Sequence, residues 1–236
     1  SLYLAYEFDA TGNPGFTDTY FGLKFLGSTY RGEFLHPQRQ PTPPANFRVN
    51  FQSWTFRDFS GTFSSPANDL QRYQKLSQSL TDRPDWNNYV IPALRTPGNR
   101  SLLVSAGPFV GVQPGDSINI VFAFVFARKV PDGRPNTDDT PTHKQQFITN
   151  ARWAQTTYNG EDFNFNGQLD PGEDLNGNGR LDRFILPSPP PIPRYRYEIE
   201  PNRIIIYWDA SAEDAIDPVS RRKDFEGYRL YKTTLG

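Results

Sequence analysis

Apolar and polar residues alternate along much of the chain, in runs short enough to be single strands. From Leu2 to Asp9, Leu2, Leu4, Tyr6 and Phe8 fall on one face, the period of two expected of a half-buried strand. A turn cluster from Ala10 to Gly15 separates this run from "YFGLKFL", where Phe21, Leu23 and Phe25 share a side. "NFRVNFQSWTF" alternates again through Phe47, Val49 and Phe51. The period then becomes helical. Leu70, Tyr73, Leu76 and Leu80 predict a short amphipathic helix over 69–80, packed on a sheet, with Asn68 or Asp69 as its N-cap. Phe147, Ala151, Ala154 and Tyr158 form the stripe of a second helix, Thr142 to Tyr158, opened by Thr-Pro.

"SLLVSAGPFVGVQPGDSINIVFAFVFARKV" reads as two strands around Pro114-Gly115, a pair suited to a type II turn. The second strand is apolar on both faces, with Ile118, Ile120, Phe122, Phe124 and Phe126 on one and Val121, Ala123 and Val125 on the other. That pattern predicts a central strand covered on both sides. Proline-rich "HPQRQPTPP" is a loop, and "PSPPPIP" a stiff spacer. "RYRYEIEPNRIIIYWD" and "DFEGYRLYKTT" return to strand patterns.

The expected fold is mainly β: a β-sandwich or jelly-roll over 1–135, a helix packed on it within 136–160, a loop segment at 161–185, a Pro-rich linker at 186–194 and a partial sheet at 195–236. Aromatic residues at 15%, with 22 Pro and 18 Gly, favour strands and turns over a helical bundle. A length of 236 residues is enough to bury a core. The formal charge of −1 leaves no basic field for a nucleic-acid backbone or an anionic membrane. The absence of cysteine removes disulfides, thiolate zinc sites and iron–sulfur clusters together. The longest apolar run, "INIVFAFVFA", is half the roughly twenty residues a membrane helix needs, so no membrane insertion is expected. Opening on Ser1 without a signal pattern, the chain reads as a processed product or a piece of a longer one.

One segment stands out chemically. In "EDFNFNGQLDPGEDLNGNGRLDRF", numbering from Asp162 puts Asp162, Asn164, Asn166 and Asp170 at positions 1, 3, 5 and 9. Gly167 then occupies position 6, Leu169 position 8 and Glu173 position 12, with the Gln168 carbonyl at 7. A hard cation such as Ca²⁺ takes six to eight oxygens, and a twelve-residue loop of this pattern supplies them. The glycine permits the tight turn, the apolar residue at 8 anchors the loop to its neighbour, and the acid at 12 closes the shell. A second copy starts at Asp174 and continues through Asn176, Asn178, Gly179, Arg180 (the position-7 carbonyl), Leu181 and Asp182. Its position 12 is Ile185, so it is either weaker or completed from elsewhere in the structure. Neutral Asn at positions 3 and 5 predicts weak affinity, about 10⁻⁴–10⁻³ M, matched to extracellular calcium.

Tandem loops sharing a boundary, with no helix between them, resemble dockerin-like and thrombospondin type 3-like calcium repeats. "PNRIIIYWD" with "DFEGYRLYKTT" resembles the opening of a fibronectin type III domain. That resemblance implies Trp208 as a core tryptophan and Tyr228 and Tyr231 on a third strand. "SAGPFVGVQPGDSINIVFAFVFA" is similar to a segment of large secreted multidomain bacterial surface proteins, which implies a cell-surface or matrix setting and no reaction.

Catalytic motifs are missing. His36 and His143 are read as separate surface residues, and no nucleophile elbow, zinc-binding helix or phosphate loop occurs. Glu7, Asp9, Glu33 and Asp58 are the carboxylates nearest aromatic strands, the residue type a glycosidase pairs. Tyr3, Tyr6, Trp54, Trp86 and Tyr89 could line a sugar-binding face or pack the core. Asn99-Arg100-Ser101 is a lone glycosylation sequon. The expectation is a non-enzymatic, calcium-stabilised extracellular protein that assembles with copies of itself through exposed β edges. The alternative is a fragment of a cell-surface adhesin or carbohydrate-binding protein.

Overall fold

One long strand organises the chain. The computed structural model describes residues 1–12, 17–61, 63–130 and 136–232. In chain order the elements are β1 (Leu4–Glu7), β2 (Thr19–Tyr30), β3 (Glu33–Leu35), β4 (Arg48–Thr55), α1 (Asp69–Ser77), α2 (Ile91–Arg95), β5 (Arg100–Gly107), β6 (Ile118–Arg128), α3 (Gln145–Asn159), β7 (Tyr195–Glu200) and β8 (Arg203–Trp208). A 3₁₀ turn at Leu80–Asp82 and a π turn at Trp86–Val90 precede α2. Strand (26%) exceeds helix (17%), and all three sheets are antiparallel.

β2 pairs along one edge with β1 and then β3, and along the other with β6 over its full length. β4 and β5 form a second sheet, and β7 and β8 a separate hairpin. The first two sheets pack face to face over Ala5, Phe25, Tyr30, Leu35, Phe47 and Val104. On the opposite face of the first sheet, α3 buries Phe147 and Ala151 against Tyr20, Val125 and Ala127. Its last turn seats Tyr158 on Leu26 and Phe34. The alternation read in β1 and β2 therefore sorts side chains between two cores. Tyr6 and Tyr20 close the start of α3 by donating to Asp139, at 2.5 and 3.1 Å, and Lys144 reaches the same carboxylate.

The helix predicted over Thr142 to Tyr158 forms with Phe147, Ala151 and Tyr158 buried. The one expected over 69–80 forms, shorter, and Asn68 caps it by accepting from Gln71 N at 3.0 Å. Of its apolar stripe only Leu80, beyond the end of the helix, is buried; Leu70, Tyr73 and Leu76 are exposed. The sheet presents Asn50, Gln52 and Ser105 there instead, which hydrogen-bond the carbonyls of Leu76 and Gln78.

β6 is not a central strand. Among the described residues only β2 pairs with it. Ile118 and Phe122 reach the inter-sheet core, while Phe124 and Phe126 are 70% and 55% exposed. The second sheet has two strands and is too narrow to cover them. Nor do β5 and β6 pair with each other across Pro114-Gly115; each joins a different sheet. At the C-terminal end the β7–β8 hairpin is the only sheet among the described residues, and every β7 residue is exposed. Residues 224–232 are irregular and Trp208 is 48% exposed, so the third strand and the core tryptophan implied by the fibronectin resemblance are not formed. The end of that predicted strand, 233–234, lies outside the described residues.

Close packing of α3 on β2 depends on a missing side chain. A Cβ on Gly22 would come within 2.5 Å of Phe147 Cζ and 3.1 Å of the Ala5 carbonyl. Gly22→Ala is expected to destabilise the chain by about 1–3 kcal/mol through overpacking, measured as a lowered urea midpoint with an unchanged slope.

Candidate metal centre

Residues 161–183 begin where α3 ends. Gly160, the C-cap at φ +58, turns the chain away from the helix axis. The first loop is fastened to the body by Phe165, held at φ +61, whose ring meets His36 at 4.6 Å and Phe34 at 5.2 Å. Its carbonyl accepts from Gln40 N at 3.0 Å. The anchor is thus position 4 of the loop rather than Leu169 at position 8, which belongs to none of the three core clusters. Gly167 lies directly against the Phe34 side chain at φ +82.

Within the first loop the predicted side chains converge. Asp162, fully buried, accepts from Asn166 N at 2.9 Å and Gly167 N at 3.0 Å. Asn164 and Asn166 both direct Nδ2 to Asp170 Oδ2, each at 2.6 Å. Glu173 folds back across the loop: Oε1 accepts from Phe163 N at 2.9 Å and Oε2 from Asp170 N at 2.9 Å. Asn164 and Asn166 are thus joined to Asp170 through their side chains, while Asp162 and Glu173 are tied to the loop backbone. Gln168 N donates to Asn166 Oδ1 at 2.7 Å, which fixes the turn that carries the Gln168 carbonyl.

The second loop has the same internal bonds. Asp174 accepts from Asn178 N at 3.1 Å and Gly179 N at 2.9 Å. Asn176 and Asn178 both donate to Asp182 Oδ2 at 2.7 Å. Arg180 N donates to Asn178 Oδ1 at 2.8 Å. Ile185 makes no contribution, yet a carboxylate still spans the loop: Glu161 accepts from Leu175 N and Asp182 N, each at 2.8 Å. Spacing within one loop does not reveal Glu161. The recurrence of Gly-Glu-Asp at 160–162 and 172–174 does.

The electrostatics are unusual. Glu161 and Asp162 are 0% exposed and Glu173 is 5% exposed. Among the described residues, Arg183 is the one cation in ion-pair contact with these three, at 3.0 Å from Asp162 Oδ2. Arg183 is itself wedged between the rings of Phe34 and Tyr158. Glu161 and Glu173 thus have backbone N–H partners and no ion pair among the described residues, while the Arg221 guanidinium lies near enough to Glu173 to feel its charge; burying a carboxylate without a close counter-charge is costly. No group of three or more His, Cys, Asp or Glu that could hold a metal ion by itself occurs among the described residues. In each loop the side-chain atoms that meet are one aspartate oxygen and two Asn amide nitrogens; carboxylate, amide and carbonyl oxygens are the donors that hard cations accept. Rotation of an Asn amide exchanges its nitrogen for its oxygen at the point of convergence.

The other candidates are dispersed, apart from Tyr3, Tyr6, Glu7, Asp9 and Trp86, which line one cleft. His36 is buried rather than on the surface, stacked on Phe25 and accepting from Gln38 N through Nδ1. His143 bonds to Thr140 Oγ1. Glu33 is paired with Arg39, and Asp58 caps the turn at Ser60. Glu7 and Asp9 line an open cleft of about 1600 Å³ between the two packed sheets. Tyr3 and Tyr6 pack into different cores, Trp54 lies under Lys75, and Tyr89 stacks on Phe63. No helix among the described residues is long and apolar enough to cross a membrane. No family model, curated protein or solved structure matches the chain.

Two tests arise from the way the first loop is seated. Gly167→Ala would force a Cβ into Phe34 from a left-handed backbone, and should release the loop, seen as faster proteolysis within 162–173. Burial, and then the Lys24 charge, push the His36 imidazole down to about 3. Between that value and the unfolded value of about 6.5 only the unfolded chain takes the proton, so stability is full above 6.5 and falls as pH drops. Going from pH 6.5 to 5 should cost about 2 kcal/mol, and His36→Gln should flatten that slope in urea titrations at the two pH values.

Proposed function

We infer that the chain is a calcium-stabilised structural protein of an extracellular or cell-surface assembly, with residues 161–185 as its metal-fixed junction. The carrying observation is the pair of buried carboxylates, Glu161 and Glu173, that form no ion pair among the described residues, beside two loops rich in oxygen-bearing side chains. Asp162, Asn164, Asn166, Asp170 and Glu173, with the Gln168 carbonyl, would hold one ion. A bound calcium supplies the missing positive charge. The chain's own contribution is to preorganise the oxygens: Gly167 and Phe165 dock the loop on the body, and the N–H groups of residues 163–170 orient the carboxylates. Two neutral amides in the ligand set keep affinity low, so the site suits a compartment where calcium is millimolar.

The assembly part of this reading is supported by unpartnered β surface. The outer edge of β6 is open, Phe124 and Phe126 stand exposed beside it, and the β7–β8 hairpin presents Tyr195, Tyr197, Ile199 and Ile204 to solvent. Two-stranded ribbons are marginal alone, and an open edge accepts a further strand. We read the two packed sheets as part of a β-sandwich and the hairpin as part of a fibronectin type III-like module. A second reading, a segment of a large surface adhesin or carbohydrate-binding protein, is favoured by the same hairpin if strands of one polypeptide complete it.

Calcium at ten times its dissociation constant should stabilise the chain by about 1.4 kcal/mol, a rise of about 3–6 °C in melting temperature for a chain of this size. Chelation should remove it. An unchanged melting curve across millimolar calcium would sink the metal reading. Electron micrographs in millimolar calcium should show ordered polymers that loosen on chelation; small uniform particles in both buffers would leave the surface-protein reading.

A further inference from the structure

A smaller hollow lies between α1 and β4. We propose that it is a binding pocket for a small hydroxylated anion, a hexuronate unit being the chemistry that fits it. None of its lining residues falls within 161–185, so the inference is independent of the calcium reading.

The orientation of α1 is the first observation. Leu70, Tyr73 and Leu76 face solvent, while Gln71, Gln74, Lys75 and Gln78, at helical spacing on the other side, line the hollow. A helix on a sheet normally turns its apolar stripe inward. Here amides and a cation are turned toward β4, an arrangement that serves polar recognition and not core packing. Gln52 from β4, Ser64 and Ser65 from the preceding loop, and Arg83 from the cap of the 3₁₀ turn complete the walls. The volume is about 330 Å³, at the small end of ligand pockets and suited to one sugar residue more than to an extended chain.

The chemistry of the lining is selective. It holds two cations and, among the described residues, no carboxylate. Lys75 lies over the Trp54 ring at 5.6 Å. Arg83 directs Nε and Nη2 to Asp85, at 2.8 and 2.7 Å, and Nη1 is left for another acceptor. Burial, and then the Arg83 charge, push the Lys75 amine down, as two cations facing one hollow require. Gln52 supplies the second demand. Its Nε2 donates to the Gln78 carbonyl at 2.8 Å, which fixes the amide, since the flipped form would set oxygen against oxygen. Its Oε1 is buried, on a side chain only 6% exposed, and accepts from nothing among the described residues. A buried acceptor left without a donor is costly. The pocket therefore calls for negative charge toward Lys75 and Arg83 together with a hydroxyl toward Gln52. Sulfate meets the first demand alone and a neutral sugar the second alone. Ser64, Gln74 and Gln78 add hydroxyl and amide groups for further ring hydroxyls.

Titration of the ¹⁵N-labelled 236-residue chain with sodium D-glucuronate, followed by its ¹⁵N–¹H spectrum, tests the assignment. Saturable shifts are expected at the Gln52 side-chain amide and at backbone amides of 64–83. D-glucose and sodium sulfate should each bind about tenfold more weakly or worse, because each lacks one of the paired interactions. Lys75→Met keeps the stem over Trp54 and removes the charge; it should weaken glucuronate about tenfold, and Lys75→Arg should restore most of the loss. Far-UV circular dichroism checks folding. If Lys75→Met does not fold, Gln74→Ala on the exposed helix replaces it and should weaken the same shifts about threefold. Absence of saturable shifts, shifts confined to other residues, glucose or sulfate binding as tightly as glucuronate, or an unchanged affinity in the variant that folds each overturns the proposal. None of these outcomes bears on the metal reading.

Discussion

The pairing of β2 on both edges is the constraint on which the rest of the molecule depends. It places β1 and β3 on one side and β6 on the other, and its two faces serve different partners. One face meets the small β4–β5 sheet, the other meets α3. Glycines at 22 and 27 let the helix approach, with Phe147 and Tyr158 filling the space where side chains would stand. Tyr158 is near the last turn of α3, so the same packing that seats the helix also sets where the acidic segment begins.

That segment inverts the usual logic of a polar loop. Ordinary loops leave carboxylates in water; here the chain folds them inward. Phe165, Arg183 and the glycine turns seal the segment against Phe34, His36 and Tyr158. The backbone N–H groups that satisfy Glu161 and Glu173 fix their positions but cannot neutralise them, and hydrogen bonding without neutralisation is the condition a divalent ion relieves. The contact of Arg221 with the Phe163 ring brings the chain beyond the hairpin back onto the first loop, and the Asp217 carboxylate accepts from Ser188 N nearby. The junction is therefore held from both sides, by the sheet and helix before it and by the irregular chain after the hairpin.

Local pattern made much of this legible. Alternation located β1, β2 and β4, and the stripe at 147–158 located α3, because in each case one face of the element is buried as its period implies; β7 and β8 follow their strand patterns and pair as a hairpin without a buried face. The spacing within 162–173 joined Asn164 and Asn166 to Asp170 and tied Asp162 and Glu173 to the loop backbone, because loop geometry of that kind is set within twelve residues. What failed was non-local. The apolar run of β6 looks central, but whether a strand is covered depends on the width of the sheet opposite. The stripe on α1 faces solvent, because the sheet beside the helix presents polar side chains of β4 and β5 that no property of the helix itself discloses. His36 is buried by partners distant in sequence, Phe25 and Phe165. Glu161 escapes notice because its partners are the N–H groups of residues 175 and 182.

The span of the β2–β6 ladder has a kinetic meaning. Residues 19–30 find their partners at 118–128, so the sheet closes a loop of most of the intervening chain, and pairings so far apart are slow to form. The acidic segment, by contrast, makes its bonds within some twenty residues. During synthesis β2 emerges with one edge bare and waits on the order of 5–20 s for β6, at about 5–20 residues per second. For that interval a long, aromatic strand is a template for the wrong neighbour. The nascent chain is thus most vulnerable through the element on which the finished molecule most depends.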